Sequence, residues 1–194
     1  MNEFRALLDL LGMLIADPRT GVLLALLALA AWHDCRCFRI PNLLCAGGII
    51  FALLYNDAVP PVPHATWFWA PAGMLLCFSL TVPMYAFGVM GAGDVKLLSM
   101  VGAFLGVGDG LQALLFSMIT AGLAALAFAL SRRVLRRMLA NVRELLRTVM
   151  WSAVAAARPA VPVAAMASVG RLPFGLSIAL GTAIWLVGDQ LGFI

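Results

Sequence analysis

The sequence predicts an all-α membrane protein, a polytopic bundle of about six transmembrane helices that forms a single domain over residues 1–194. Of the 194 residues, 63% are hydrophobic and only 11% are charged, and the mean hydropathy is +1.01. Soluble domains contain about 25% charged residues, which excludes an ordinary soluble protein. A transmembrane helix needs about 20 apolar residues, so the chain has room for about five to seven spans and little else.

Apolar runs separated by proline, glycine and charged residues define the predicted spans. Their approximate ranges are 21–33, 42–55, 66–89, 94–106, 111–130 and 173–193. Pro41 opens the second span, where proline fits because its missing N–H would be unsatisfied anyway, and Pro71 and Pro83 are candidate kinks in the third. Residues 1–20 are short and charged for a span, so we predict an interfacial helix or a short hairpin-forming helix there.

Residues 132–151 are predicted to form a basic amphipathic helix on the cytoplasmic membrane surface. Apolar side chains recur there at helical spacing, and the arginines occupy the other face. Contact with membrane lipids is the default interpretation, and a lid or a docking surface is the alternative. The net charge of +4 is accordingly assigned to orientation and lipid contact, and no nucleic-acid partner is predicted.

The distribution of basic residues predicts how the spans are oriented. The turns 56–64 and 107–110 contain no lysine or arginine, in contrast to the turns that carry Arg36, Arg39, Lys96 and the arginines of 132–147. By the positive-inside rule, the first, third and fifth spans end in the cytoplasm. Asp34 ends the first span and Asp94 begins the fourth, so both acids are predicted to lie at the cytoplasmic membrane boundary.

Asp34 and Asp94 are the candidate catalytic residues. A charged residue near the middle of a membrane segment costs about 2.5–3.5 kcal/mol, so acids retained there usually have a function. Two acids in one apolar site cannot both ionise easily, and they would share a proton. One could then activate water while the other protonates a carbonyl oxygen, as in aspartic peptide hydrolysis. Gly91 and Gly93 would let the helix end unwind and let an extended substrate approach.

Two other interpretations remain open on spacing alone. Asp94 sits where a helix N-cap would sit, and Asp34 could pair with Arg36 or Arg39 at the membrane surface. The acids could also serve a non-enzymatic role in a proton-coupled carrier or an assembly subunit. A carrier is expected to hold polar residues deep in several spans, and the second, third and fifth spans contain few.

Three segments taken in order resemble the type IV prepilin leader peptidase family, which are aspartic membrane enzymes of the GxGD type. They are Asp34-Cys35-Arg36, Ile40-Pro41-Asn42 and the segment 91–98, Gly-Ala-Gly-Asp-Val-Lys-Leu-Leu. The later Leu-Pro-Phe-Gly at 172–175 is similar to that family's C-terminal motif. The resemblance covers about residues 21–186, and it is far more specific than GxGD alone.

The resemblance implies a function for the acids. It implies that Asp34 and Asp94 are the catalytic pair of a prepilin peptidase in the bacterial inner membrane, with its active site facing the cytoplasm. The implied substrate is a Flp or type IV prepilin, cut after the glycine that ends a short basic leader. No metal or cofactor is expected. The alternative within enzymes is a GxGD intramembrane protease that acts on other signal or membrane peptides.

Three further residues are candidate supports of the site. Lys96 could steady the charge of the acids, or extend to the lipid headgroups. Arg36 could orient Asp34 or bind anionic lipid. Asn42 could cap or brace the start of the second span.

The cysteines narrow the assignment within the family. Bifunctional members also N-methylate the new amino terminus and carry paired CxxC motifs for zinc. Here the four cysteines form no such pairs, being Cys35, Cys37, Cys45 and Cys77. The chain therefore resembles the short branch that serves Flp/Tad pili, a peptidase without the methyltransferase. The cysteines themselves are expected to be small apolar packing residues, and the oligomeric state stays open.

Overall fold

The computed structural model describes residues 12, 17–61, 67–132, 135–136, 139–140, 142–144, 147 and 173–192. Within these ranges the regular structure is all-helical, as predicted. The helices are α1 (Pro18–Cys37), α2 (Asn42–Ala58), α3 (Trp69–Ala86), α4 (Ala92–Ser131) and α5 (Phe174–Gln190). Most of the predicted surface helix 132–151, and residues 1–16 other than Gly12, lie outside the described residues.

The helices form a membrane bundle. By length and composition α1, α3 and α4 can each cross a bilayer, and α2 and α5 are shorter apolar helices. Large apolar side chains are exposed on all five helices, and Leu43 and Leu54 of α2 are 85% and 69% exposed. A water-soluble protein rarely exposes so much apolar surface, whereas a bilayer covers it.

The first helix is longer at both ends than the predicted span 21–33. It starts at Pro18 because the Asp17 carboxylate caps it, accepting a hydrogen bond from the Arg19 N–H at 3.2 Å. It ends where Phe38 adopts a left-handed conformation (φ 50°) and donates its N–H to the Asp34 carbonyl oxygen at 2.8 Å. Asp34 therefore lies inside the last helical turn and does not end the helix.

Helix α4 is a hairpin of two helical arms. Gly106 has non-helical dihedral angles (φ 78°, ψ −164°), and an ideal Cβ on Gly110 would lie only 3.2 Å from the Gly102 Cα. Residues eight apart in a straight helix are about 12 Å apart, so the chain must reverse at Gly106. The predicted break between the fourth and fifth spans is thus present, but the predicted loop 107–110 is helical. Only one residue leaves the helix, because glycine adopts positive φ without strain.

Small residues let α3 pack tightly against both arms of this hairpin. An ideal Cβ on Gly73 would overlap the Gly102 carbonyl oxygen and lie 2.6 Å from the Gly106 Cα. The Cys77 thiol lies in the same crossing and donates to the Gly110 carbonyl oxygen at 3.6 Å. Close approach of backbones at small residues is the usual way in which membrane helices associate.

The first arm of α4 forms the centre of the bundle. Every residue from 97 to 106 is buried, because α1, α2, α3 and α5 all pack against this helix. A helix that is apolar on every face is typical of such a central position. Phe104 of this arm is fully buried, as are Leu23 of α1 and Trp185 of α5. Because the other helices surround the first arm of α4, the N-terminus of this helix lies among their ends.

The helix ends fall into two groups. At one end, which we call the acid end, α1 and α3 finish and α2, α4 and α5 begin. At the other, the Gly106 end, α1 and α3 begin, α2 and α5 finish, and α4 reverses. Contacts bridge the helices at both ends: Gly175 bonds to Asp34 at the acid end, and Arg19 bonds to the Val59 carbonyl at the Gly106 end.

Candidate active site

Asp34 is held at the acid end by the start of α5. Its side chain is 6% exposed, and its Oδ2 accepts a hydrogen bond from the Gly175 N–H at 2.8 Å. Gly175 is the second residue of α5, and Pro173 is the N-cap. The N–H groups of a first helical turn have no partner inside the helix, and they carry its positive dipole end. This helix start therefore supplies a backbone donor that holds the Asp34 side chain in place.

Asp94 is held in a similar way by the start of its own helix. Its Oδ2 accepts a hydrogen bond from the Gly91 N–H at 3.1 Å, which forms a capping box. Gly91 is the N-cap and Asp94 is the third helical residue, so the interpretation of Asp94 as the N-cap is wrong. The error arises because Ala92 and Gly93 are already helical.

The two carboxylates lie at the same end of the bundle and share a pattern of hydrogen bonding. Each has Oδ2 bonded to a backbone N–H at a helix start, while Oδ1 makes no hydrogen bond within the described residues. Each acid therefore has one oxygen that fixes its position and one that remains available for a proton.

The segment 40–42 is joined to the segment 91–98 by two contacts. An ideal Cβ on Gly93 would lie 3.2 Å from the Ile40 Cβ, so glycine lets the α1–α2 connection pack on the start of α4. The Lys96 Nζ donates to the Asn42 Oδ1 at 2.8 Å. Two of the three supporting residues predicted from the sequence, Lys96 and Asn42, are thus brought together near the start of α4. Lys96 bonds to Asn42 and not to either acid.

The arginines next to Asp34 are not brought to it. The Arg36 guanidinium lies over the Trp32 ring, 4.1 Å from its centroid, and the Arg39 carbonyl oxygen is 2.6 Å from the His33 Nδ1. Neither arginine forms an ion pair with Asp34. Residues two apart on a helix point in different directions, so that Arg36 faces outward while Asp34 faces the bundle.

Gly175 is a site residue that the sequence reasoning missed. It belongs to the Leu-Pro-Phe-Gly segment at 172–175, for which the sequence predicts no role in the site. A proline followed by two residues at a helix start is a signal for unpaired N–H donors, and it could have suggested an anion nearby. An ideal Cβ on Gly175 would lie 3.0 Å from the Asp34 Oδ2 and 3.2 Å from its Cβ, so glycine also gives Asp34 its space.

The site has the parts of an acid–base centre. Two acids share one end of an apolar bundle, each with an oxygen that can take or give a proton. Within the described ranges no group of three or more histidine, cysteine or acidic residues could hold a metal ion. The absence of a required metal or cofactor stays a prediction from the sequence.

Comparison with known proteins gives one match. The model of the type IV leader peptidase family matches residues 21–127, just over half of the chain. The match includes both acids and ends before α5, so the Gly175 contact lies outside it. No curated protein and no solved structure matches the chain.

Proposed function

The chain belongs to the type IV leader peptidase family of membrane proteases, and from this premise we propose that it is an aspartic endopeptidase that matures Flp or type IV prepilins. In this proposal, Asp34 and Asp94 are the catalytic pair. The substrate is cut after the glycine that ends its short basic leader, at the cytoplasmic face of the bacterial inner membrane.

One observation carries the proposal. Four segments that are far apart in the chain converge at the acid end, namely Asp34, 40–42, 91–96 and 173–175. Three contacts join them in two pairs: Gly175 bonds to Asp34, while Gly93 and Lys96 contact Ile40 and Asn42, which follow Asp34 closely in the chain. Separate capping acids would not require these segments to meet, whereas a peptidase site does. The capping bonds use only one oxygen of each acid, so capping and catalysis are compatible.

The mechanism follows from the available oxygens. The ionised acid of the pair takes a proton from water while the water oxygen attacks the carbonyl carbon of the scissile peptide. The protonated acid gives its proton to the carbonyl oxygen, which forms a tetrahedral diol. When the diol collapses, the ionised acid takes a proton from one diol hydroxyl, the C–N bond breaks, and the protonated acid gives its proton to the leaving nitrogen. This returns the pair to its starting state with one proton. The pair acts as a unit and neither acid is assigned as the permanent base.

The orientation of the site is part of the proposal. Arginine placement favours about six spans with the acid end in the cytoplasm. A prepilin would then present its leader at this face, with its hydrophobic segment in the bilayer beside the exposed apolar helix faces. Asp94, which is partly exposed, gives the site access to the water that the reaction consumes.

The direct test is co-expression with a Flp-type prepilin. We expect the wild-type chain to remove the leader, observed as a mobility shift on a gel and as a new amino terminus by mass spectrometry. A prepilin in which the glycine before the cut is replaced by valine is the matched control, and it should stay uncut. A wild-type chain that leaves a confirmed partner prepilin intact, or that cuts a secretory signal peptide instead, would overturn the proposal.

The mature pilin is expected to keep an unmethylated amino terminus. The four cysteines form no paired CxxC zinc motif, so the feature that marks the bifunctional members is missing from the sequence. Mass spectrometry of the amino-terminal peptide of the cleaved pilin measures this directly. A bifunctional family member expressed in the same cells provides the methylated reference, and an equally methylated product from this chain would contradict the prediction.

A Gly175→Ala variant is expected to cleave prepilin about ten- to a hundredfold more slowly. The added methyl group would press against the Asp34 side chain and displace it from its productive position. The measurement is a time course of leader removal at matched enzyme levels. Gly122→Ala is the control, because an ideal Cβ there has no neighbour within 4 Å. Equal rates for the two variants would show that Gly175 does not position Asp34.

A further inference from the structure

A cavity of about 350 Å³ opens at the Gly106 end of the bundle, at the end opposite Asp34 and Asp94. We propose that this Gly106-end cavity binds the headgroup of a zwitterionic phospholipid, phosphatidylethanolamine. Its lining combines one cation, several acids and two indole rings; the residues used in the argument are Arg19, Asp17, Asp109, Asp189, Trp69 and Trp185. The inference does not depend on the proposed peptidase activity.

Arg19 points to an anionic group in the ligand. Its Nη2 donates to the Val59 carbonyl oxygen at 3.0 Å, and its guanidinium lies against the Tyr55 and Trp69 rings, at 5.8 and 6.0 Å from their centroids. The Nε atom is buried and has no acceptor. Buried N–H groups are nearly always paired, and guanidinium groups bind phosphate well. A phosphate in the cavity would provide the missing acceptor, beside the positive end of α1.

The acids that line the cavity point to a cationic group in the ligand. Asp109, next to the reversal of α4, and Asp189, in the last turn of α5, repel each other. Within the described residues neither carboxylate has an ion-pair partner. Asp17 is already used, because it caps α1 through the Arg19 N–H. An ammonium group between Asp109 and Asp189 would replace this repulsion by attraction.

A ligand that carries both a negative and a positive charge would pair with Arg19 and with the two carboxylates at once. A phosphoethanolamine headgroup carries a phosphate next to a primary ammonium, and it is held at a membrane boundary by its acyl chains. The cavity lies at such a boundary, at the first turn of α1 and the last turn of α5. Trp69 and Trp185 line it, and Trp67 beside it is 74% exposed. Indole rings are enriched where membrane proteins meet lipid headgroups.

The test is lipid retention measured by native mass spectrometry on the purified full-length chain. Phosphatidylethanolamine is expected to bind about fivefold more tightly than phosphatidylglycerol, which lacks the ammonium, or phosphatidylcholine, whose ammonium has no N–H. The double variant Asp109→Asn/Asp189→Asn should abolish this preference, whereas Arg19→Gln should weaken retention of all three lipids alike, because all three carry the phosphate. Asp57→Asn is the matched control, because Asp57 is an exposed acid near the same end that does not line the cavity.

Each outcome decides the proposal. Equal retention of the three lipids by wild type, or an undiminished preference in the double aspartate variant, would overturn it. If soluble glycerophosphoethanolamine bound as tightly as the lipid, the site would serve a soluble zwitterion and the lipid assignment would fail. Asp109 and Asp189 are exposed, so the double variant is expected to fold even where Arg19→Gln does not.

Discussion

Asp34→Asn and Asp94→Asn variants are each expected to remove the prepilin leader about 10³-fold more slowly than wild type. Asparagine has nearly the same shape as aspartate, and its carbonyl oxygen can still accept the backbone N–H of Gly175 or Gly91. The fold is therefore expected to survive. What asparagine cannot do is exchange a proton with water or with the peptide carbonyl.

The measurement is a time course of leader removal after induction of the prepilin. Equal amounts of folded enzyme, determined by size-exclusion chromatography in detergent, make the rates comparable. Asp57→Asn is the control, because it makes the same chemical change at an exposed acid far from the acid end. Should either catalytic-site variant process the prepilin at the wild-type rate, the assignment of the pair would be wrong, even if the family assignment stands.

The second large effect is expected for stability. A Gly102→Ala variant is expected to lower the free energy of unfolding by about 2–3 kcal/mol. An ideal Cβ there would overlap the Gly73 carbonyl oxygen and lie 2.7 Å from the Cys77 Sγ. The obstruction is mainly backbone, which cannot rotate away, so α3 would have to move off the α4 hairpin. Thermal unfolding of the purified chain in detergent measures the effect.

Gly122→Ala is the control, because it is not expected to lower the free energy of unfolding. Gly122 lies in the second arm of α4, and an ideal Cβ there meets no atom within 4 Å. Alanine favours a helix over glycine by about 1 kcal/mol, so this variant should be unchanged or slightly more stable. If Gly102→Ala were as stable as Gly122→Ala, the close crossing of α3 and α4 would not describe the protein.

The elements and their order were predictable because each depends on local composition. Long apolar runs predict helices, and the glycines and aspartate at 106–110 predict a break between two of them. The extent of the break was not predictable. Three of the four residues after Gly106 favour turns, namely Gly108, Asp109 and Gly110, yet all four are helical and the reversal is confined to one residue.

The sequence is enough to nominate the two acids of the candidate site, but it does not indicate which residues they and their neighbours contact. Asp34 and Asp94 stand out because charge is rare in this chain, and arginine placement predicts that both lie at one membrane face. Their partners are set by long-range contacts: Gly175 is 141 residues from Asp34, and Asn42 is 54 residues from Lys96. Nothing local to either residue indicates such a pairing, because it depends on how the helix ends meet in the bundle.

The one-residue reversal at Gly106 also constrains how the protein enters the membrane. With no linker between them, the two arms of α4 can cross only together, carrying the single charge of Asp109 to the far side. The start of the first arm and the end of the second must then emerge on the same side. By the positive-inside rule the arginines that begin at Arg132 are expected to resist translocation, and the hairpin would then keep Asp94 on the same side of the membrane as these arginines.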